Sequence, residues 1–263
     1  MSYFKPAYIA NANIEVPEIL YKWDDRVYDH LCGWDDRKID ELFIYDPGEI
    51  VKKIILLSKR AQLAIAISVF EWIAWRLYVF NKMDCYIPFK IAEAAWCGMV
   101  DERYAEYTEF RKEKWMGPVE GPLWCGISWL MPMIHFEEKG VEEFFDGIFN
   151  LPRLAMHILP CPEIFENWLY KITDKLLINY KATKAEYIYK SEELFDDLFS
   201  EVDHGGRVVP REALDPDFDF KIRDTKKYIS KFLSTIDITD NPSLYSPEEM
   251  IENGFEGTPY KFK

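Results

Sequence analysis

The residues of this chain with types and spacing suited to chemistry are its carboxylates. Two near-copies of one block, Trp23-Asp24-Asp25-Arg26-Val27-Tyr28-Asp29 and Trp34-Asp35-Asp36-Arg37-Lys38-Ile39-Asp40, are offset by 11 residues. Paired aspartates on helices can hold Mg²⁺, which takes oxygen ligands in tight octahedral order. Asp24 and Asp29 stand five residues apart, however, and on a helix that turns their side chains about 140° away from each other. The 11-residue offset returns to nearly the same helix face, but Gly33 lies between the copies. A second use is a contact surface of Asp24, Asp25, Asp35 and Asp36 with Trp23 and Trp34 as anchors, since aromatics rimmed by charge are a common interface composition. The alternative is that both Trp face the core and the Asp/Arg pairs form solvated helix faces.

A second acidic concentration runs over residues 185–220. Eleven carboxylates, among them Glu192, Glu193, Asp196, Asp197, Glu201 and Asp203, face only Lys190, Arg207 and Arg211 there, so the stretch carries −8 of the chain's −14. Asp215, Asp217 and Asp219 open like a calcium loop, but Phe220 stands where the loop needs Gly and Lys226 where it needs Glu. His204-Gly205-Gly206-Arg207 offers backbone N–H groups to an anion; the surrounding acidity opposes that, and a turn is expected.

Other catalytic templates fail on spacing. The aspartate blocks resemble the D-D-x-x-D motif of the all-α isoprenoid synthases, which would imply a metal-dependent enzyme. Here the pattern is D-D-x-x-x-D, and Asn179, Thr183 and Tyr187 do not meet that family's second acidic motif. The four His (30, 135, 157 and 204) form no H-E-x-x-H, nor the two E-x-x-H motifs that a di-iron bundle needs. Arg153–His157 and Arg26–His30 lack the wider spacing of helical ribonucleases. Cys125-Gly126-Ile127-Ser128-Trp129 resembles the block around the papain nucleophile, with Ser128 where the cysteine belongs. No catalytic, metal or cofactor residue is assigned.

The elements that must position these groups are helical. Asp46-Pro47-Gly48-Glu49 reads as a capped start, opening a helix to about Phe80 through Ile50, Ile54, Leu57, Ala61 and Ala64. Pro17 opens an earlier helix, Pro88 the next, and Asp101–Trp115 continues as a charged amphipathic piece. Gly117-Pro118 and Gly121-Pro122 read as turns, with Pro132 interrupting the run after them. Short helices fit 141–149 and 152–159; Pro162 opens a longer one on Ile164, Phe165, Trp168, Leu169, Ile172, Leu176 and Leu177. Residues 184–200 and 221–234 complete the set, and only Arg207-Val208-Val209 looks strand-like. The expectation is an all-α multi-helix bundle in one domain over 1–236. It has a long central hydrophobic helix, an internal division if any near 116–122, and an irregular C-terminal tail over 237–263.

Composition bounds the function. Of 263 residues, 32 are Lys or Arg and 46 Asp or Glu, for a net charge of −14. Nucleic acids and anionic membranes both need a basic surface, so neither is an expected partner. Hydrophobic residues make up 49%, too many for a disordered acidic tail. Residues 61–80 have the length of a membrane span but contain Gln62, Glu71 and Arg76, so a buried core helix is expected. Glu71 and Arg76, five apart, do not share a face. The N-terminal residues show no signal peptide. Five Cys with no C-x-x-C argue for reduced thiols in a cytoplasmic protein rather than disulfides or zinc.

An acidic surface suits recognition of a basic partner. In whole-chain character, and in stretches such as Phe70–Leu77 (FEWIAWRL) and Ala94–Met99 (AAWCGM), the chain resembles the bacterial immunity proteins that neutralise toxins from neighbouring cells. The resemblance carries no signature motif, so no binding residue is transferred through it. It implies a cytosolic protein that occludes a basic, nuclease-like toxin without doing chemistry. The expected contacts, read from the charge, are Glu192, Glu193, Asp196, Asp197, Glu201 and Asp203, with Asp24, Asp25, Asp35 and Asp36 second. Two other classes stand beside this one: an all-α metal-dependent enzyme using its aspartate-rich helices, and a Trp-rich scaffold that forms a homo-oligomer.

Overall fold

Helix α3, Lys59–Tyr78, is the element around which the others are arranged, and every residue from Ala61 to Tyr78 is buried. A helix apolar on all sides must be covered on all sides. Its sequence therefore dictates the rest of the fold: α4 (Tyr86–Val100), α5 (Gly117–Ile134), α6 (Val141–Ile158) and α7 (Pro162–Asn179) all pack against it. Shorter helices α1 (Ile39–Leu42) and α2 (Gly48–Ile54) precede it, and α8 (Thr225–Leu233) and α9 (Pro247–Glu252) follow the bundle. The computed structural model describes residues 33–78, 80, 86–135, 141–159, 162–182 and 205–262. Among these the fold is all-α, with isolated bridges at Leu57–Lys181 and Ala105–Leu244 and no strand; Val208 and Val209 are buried but pair with nothing as a strand. No helix among them is long and apolar enough to cross a membrane. Aromatic rings fill part of this core: Trp72 packs on Phe165 and Trp168, and Trp75 on Phe89.

Four expectations about helix boundaries are corrected. The helix expected from 46 to 80 is two, broken at residues 55–58. The Ser58 N–H bonds to the Tyr180 carbonyl at 2.8 Å and the Ala182 N–H to the Leu56 carbonyl at 2.8 Å. The Gln62 side chain satisfies the Leu57 carbonyl at 2.6 Å. Residues distant in sequence, with the side chain of Gln62, thus take over the hydrogen bonds that the helix gives up.

Residues 101–115, expected as an amphipathic helix, form two 3₁₀ turns, Glu102–Tyr104 and Lys112–Lys114, with extended chain between. Asp101 caps the first by accepting from the Arg103 N–H. The Glu106 N–H then bonds to the Ser243 carbonyl and the Tyr245 N–H to the Tyr104 carbonyl. Pairing with the C-terminal segment outweighs local helix propensity.

The glycine–proline pairs at 117–122 are not turns between elements but the first turns of α5. Gly117 enters at φ 93°, and Pro118 sits in the first turn, where its missing N–H costs nothing. Gly126 lies at a helix crossing, where an added Cβ would come within 2.8 Å of the Phe70 ring. Pro152, likewise, is inside one continuous helix rather than between two. Leu151, Leu154 and Ala155 around it are fully buried, and that burial outweighs the one hydrogen bond proline forfeits.

On α7, Ile164 was expected inward and is half exposed, while Phe165, Trp168, Leu169 and Ile172 are buried as their spacing predicts. The C-terminal segment is irregular in backbone but fastened to the bundle. Leu244 and Met250 join the core, and Ser246 and Glu249 form a reciprocal capping box on α9. Tyr260, at φ 56°, stacks on Tyr104 with 4.6 Å between ring centroids, and its hydroxyl donates to the Tyr104 carbonyl at 3.2 Å.

Candidate functional site

The most deeply buried carboxylate described is Glu71, at 0% exposure in the middle of α3. It pairs with Arg211, in the 3₁₀ turn Arg211–Leu214, at 3.2 Å. The Trp96 indole N–H of α4 donates to the same carboxylate oxygen at 3.0 Å. The Arg211 guanidinium lies 5.7 Å from the Trp96 ring and 5.9 Å from the Phe232 ring. Burial pulls its pKa below the usual arginine value, and Glu71, Glu212 and Glu93 pull it back up. A carboxylate with no exposed surface has no route to a substrate. This arrangement is a strut that ties α3, α4 and the C-terminal region together.

A second polar run lies on α4. Lys90 bridges Glu93 at 3.4 Å and Asp240 at 3.0 Å. Buried Asn241 donates to the Glu93 carboxylate and to the Lys90 carbonyl, both at 2.9 Å. These bonds fix the C-terminal segment on α4.

The expected site residues fall in different places. Trp23, Asp24, Asp25, Glu192, Glu193, Asp196, Asp197, Glu201, Asp203 and His204 lie outside the described residues. Asp36 is part-buried and takes a hydrogen bond from the Trp34 indole and another from the Gly117 N–H, each at 2.8 Å. Its carboxylate thus caps the start of α5, and Trp34 packs against the core beside Phe43 and His157. Asp35 accepts from the Arg37 N–H within its own turn. Asp215 is buried and closes a turn by accepting from the Asp217 N–H at 2.9 Å. Among the described residues no group of three or more His, Cys, Asp and Glu could hold a metal ion.

Arg153 does not work with His157. It donates to the Phe43 carbonyl at 2.7 Å and the Tyr45 carbonyl at 3.3 Å, while His157 sits edge-on to the Phe43 ring and burial lowers its pKa. Gly205 and Gly206 present carbonyls, not N–H groups: these accept from the Arg60 N–H and from its guanidinium. Cys125 is a buried thiol, as is Cys97.

Lys59 escaped the sequence reading. It opens α3 with its ammonium 4.3 Å from the Phe144 ring centroid, and burial lowers its pKa from 10.5 to about 8. The folded value lies below the unfolded one, so between these values the unfolded state binds more protons. Stability is therefore expected to rise as pH goes from about 8 to about 10, as burial of the charge is relieved. Urea midpoints measured across that range check this, and Lys59→Met should flatten the rise.

A pocket of about 180 Å³ opens between the end of α7 and residues 213–220. Lys175, Asn179, Tyr180, Phe218, Asp219 and Phe220 line it. The Lys175 ammonium donates to the carbonyls of Asp215 and Phe218, and so holds that wall in place. No protein-family model, curated protein or solved structure matches the chain.

Proposed function

We propose that this is a cytosolic binding protein of the bacterial immunity class, which binds a basic protein toxin and blocks access to its active site. The observation that carries the reading is the charge of −14, of which residues 185–220 hold −8. A surface of one sign accelerates encounter with a partner of the opposite sign and rejects nucleic acid and anionic lipid. The described part of the structure is consistent with a rigid platform for such a surface. Its buried carboxylates Glu71 and Asp215 are engaged by internal bonds from Arg211 and the Asp217 N–H.

The contacts are assigned to Glu192, Glu193, Asp196, Asp197, Glu201 and Asp203. The four aspartates of the Trp-Asp-Asp-Arg blocks are secondary, and Asp36 contributes least because its carboxylate is already engaged by Trp34 and Gly117.

Affinity capture from cells of the source, followed by identification of the bound protein, tests the reading. A basic toxin whose activity is lost on binding is the expected result; recovery of this chain alone would favour a homo-oligomeric scaffold and overturn it. Reversing Asp196 and Asp197 to Lys should slow association by about tenfold or more and weaken its salt dependence. Unchanged affinity after reversal at both acidic clusters would exclude the electrostatic mechanism.

A further inference from the structure

In a chain with a net charge of −14, α8 and the turn before it are basic. Over residues 221–231, Lys221, Arg223, Lys226, Lys227 and Lys231 stand against Asp224 alone, a net +4. The helix buries Ile229 and Leu233 and packs Tyr228 on the rings of Phe218 and Phe220. That fixes which side meets solvent. Lys226, Lys227, Ser230 and Lys231 fall within an arc of about 140° on the other side, and all four are exposed, as is Arg223.

These cations are not neutralised locally. Lys227 and Lys231 are four residues apart, a spacing at which like charges repel and a carboxylate would have stabilised the helix. Lys221 is bridged to Asp219 at 3.4 Å. Among the described residues, Arg223, Lys226, Lys227 and Lys231 enter no ion pair. Lys227 lies 5.6 Å from the Tyr228 ring centroid, and Lys231 acts on the Glu212 carboxyl without forming an ion pair with it. The face stays positive in a chain with 46 carboxylates and 32 cations.

The size of the patch selects the anion that fits it. A helix of nine residues is about 13 Å long. The chain turns acidic on both sides of it, at exposed Asp217 and Asp219 before and exposed Asp237 and Asp240 after. At physiological salt a charge is felt over about 8 Å. A long nucleic acid or a flat anionic membrane laid on α8 extends past the cations and meets those carboxylates. A run of Asp and Glu no longer than the helix does not.

We propose that the outward face of α8 docks a short acidic segment of a partner protein, whose Asp and Glu side chains pair with Arg223, Lys226, Lys227 and Lys231. The site does not rest on the toxin-binding reading. A basic surface is repelled by α8, so the two surfaces recruit opposite chemistries and fail separately.

Anisotropy titration of the intact protein tests it, with a labelled peptide of alternating Glu and Ala about the length of α8 and its Gln-Ala counterpart. Binding of the acidic peptide with a Kd of about 100 μM or tighter at low salt, weakened about tenfold at physiological salt, is expected. The triple variant Lys226→Gln, Lys227→Gln, Lys231→Gln should bind it about tenfold more weakly or worse, with the urea midpoint little changed because the positions are exposed. No binding of the acidic peptide up to about 1 mM, equal binding of the Gln-Ala peptide, or unchanged affinity in the triple variant would each overturn the proposal. A single-stranded oligonucleotide or phosphatidylserine vesicles that bind through the same lysines as tightly as the peptide would overturn it too, since that is phosphate recognition. Peptide binding that emerges only after Asp196 and Asp197 are reversed to Lys would assign the face to this chain's own acidic stretch, and so reject a partner.

Discussion

Replacing Arg211 with methionine is expected to cost about 3–5 kcal/mol of stability, because it leaves the Glu71 carboxylate buried without its counter-charge. Glu71 has no exposed surface, so water cannot take over from the guanidinium. The Trp96 indole N–H, at 3.0 Å, is a neutral donor and does not replace the charge of the guanidinium. The loss arises from the uncompensated charge rather than from a favourable pair. The double variant Glu71→Leu with Arg211→Met, which removes both charges and keeps the volume apolar, should therefore recover most of it. Urea unfolding of the two singles and the double completes the cycle. A single-variant loss below about 1 kcal/mol, the range of a surface pair, would show that the contact is solvated.

Gly147→Val should cost about 3 kcal/mol, at the upper end for overpacking a well-filled core. Gly147 lies where α6 crosses α5, and an added Cβ would come within 2.8 Å of the Trp129 carbonyl oxygen and of Met133 Cγ. The methionine side chain can move aside, whereas the carbonyl belongs to the backbone of α5 and can do so only if the helix shifts. Alanine should cost less than valine because the second and third carbons are what must be accommodated beyond the Cβ. Thermal unfolding of the glycine, alanine and valine forms should give a graded fall in Tm. Equal values for all three would show that the crossing is looser than the distances imply.

The parts of the fold legible in the sequence were those governed by local pattern. The predominantly apolar character of residues 61–78 sufficed to place α3 at the centre, and the spacing of Phe165, Trp168, Leu169 and Ile172 marked the buried face of α7. What pattern reading missed was decided by distant partners. The break at 55–58 has no glycine or proline to announce it; it exists because residues 180–182 supply its hydrogen bonds. Gly121 reads as a turn former but serves as a close-contact position inside α5, a distinction that depends on Trp34 lying opposite. The same holds for the strut. A carboxylate in a helix otherwise apolar signals a buried partner. Nothing in the spacing singled out Arg211, 140 positions away, from the other basic residues. The pocket was equally hidden, since its charges come from α7 and from a loop some forty residues later.

The pairing of residues 104–106 with residues 243–245 has a consequence for biosynthesis. The Glu106 N–H finds its acceptor on Ser243, and the Tyr104 carbonyl its donor on Tyr245. As the chain leaves the ribosome, α3, α4 and α5 can begin to assemble while that middle stretch still lacks its partner. At about 5–20 residues per second, more than a hundred further residues take several seconds or longer. During that interval the stretch has only water or transient contacts to satisfy its backbone. Nascent molecules thus pass through a stage in which the centre of the bundle precedes its own fastening, and that stage is where a chaperone or a protease would meet them.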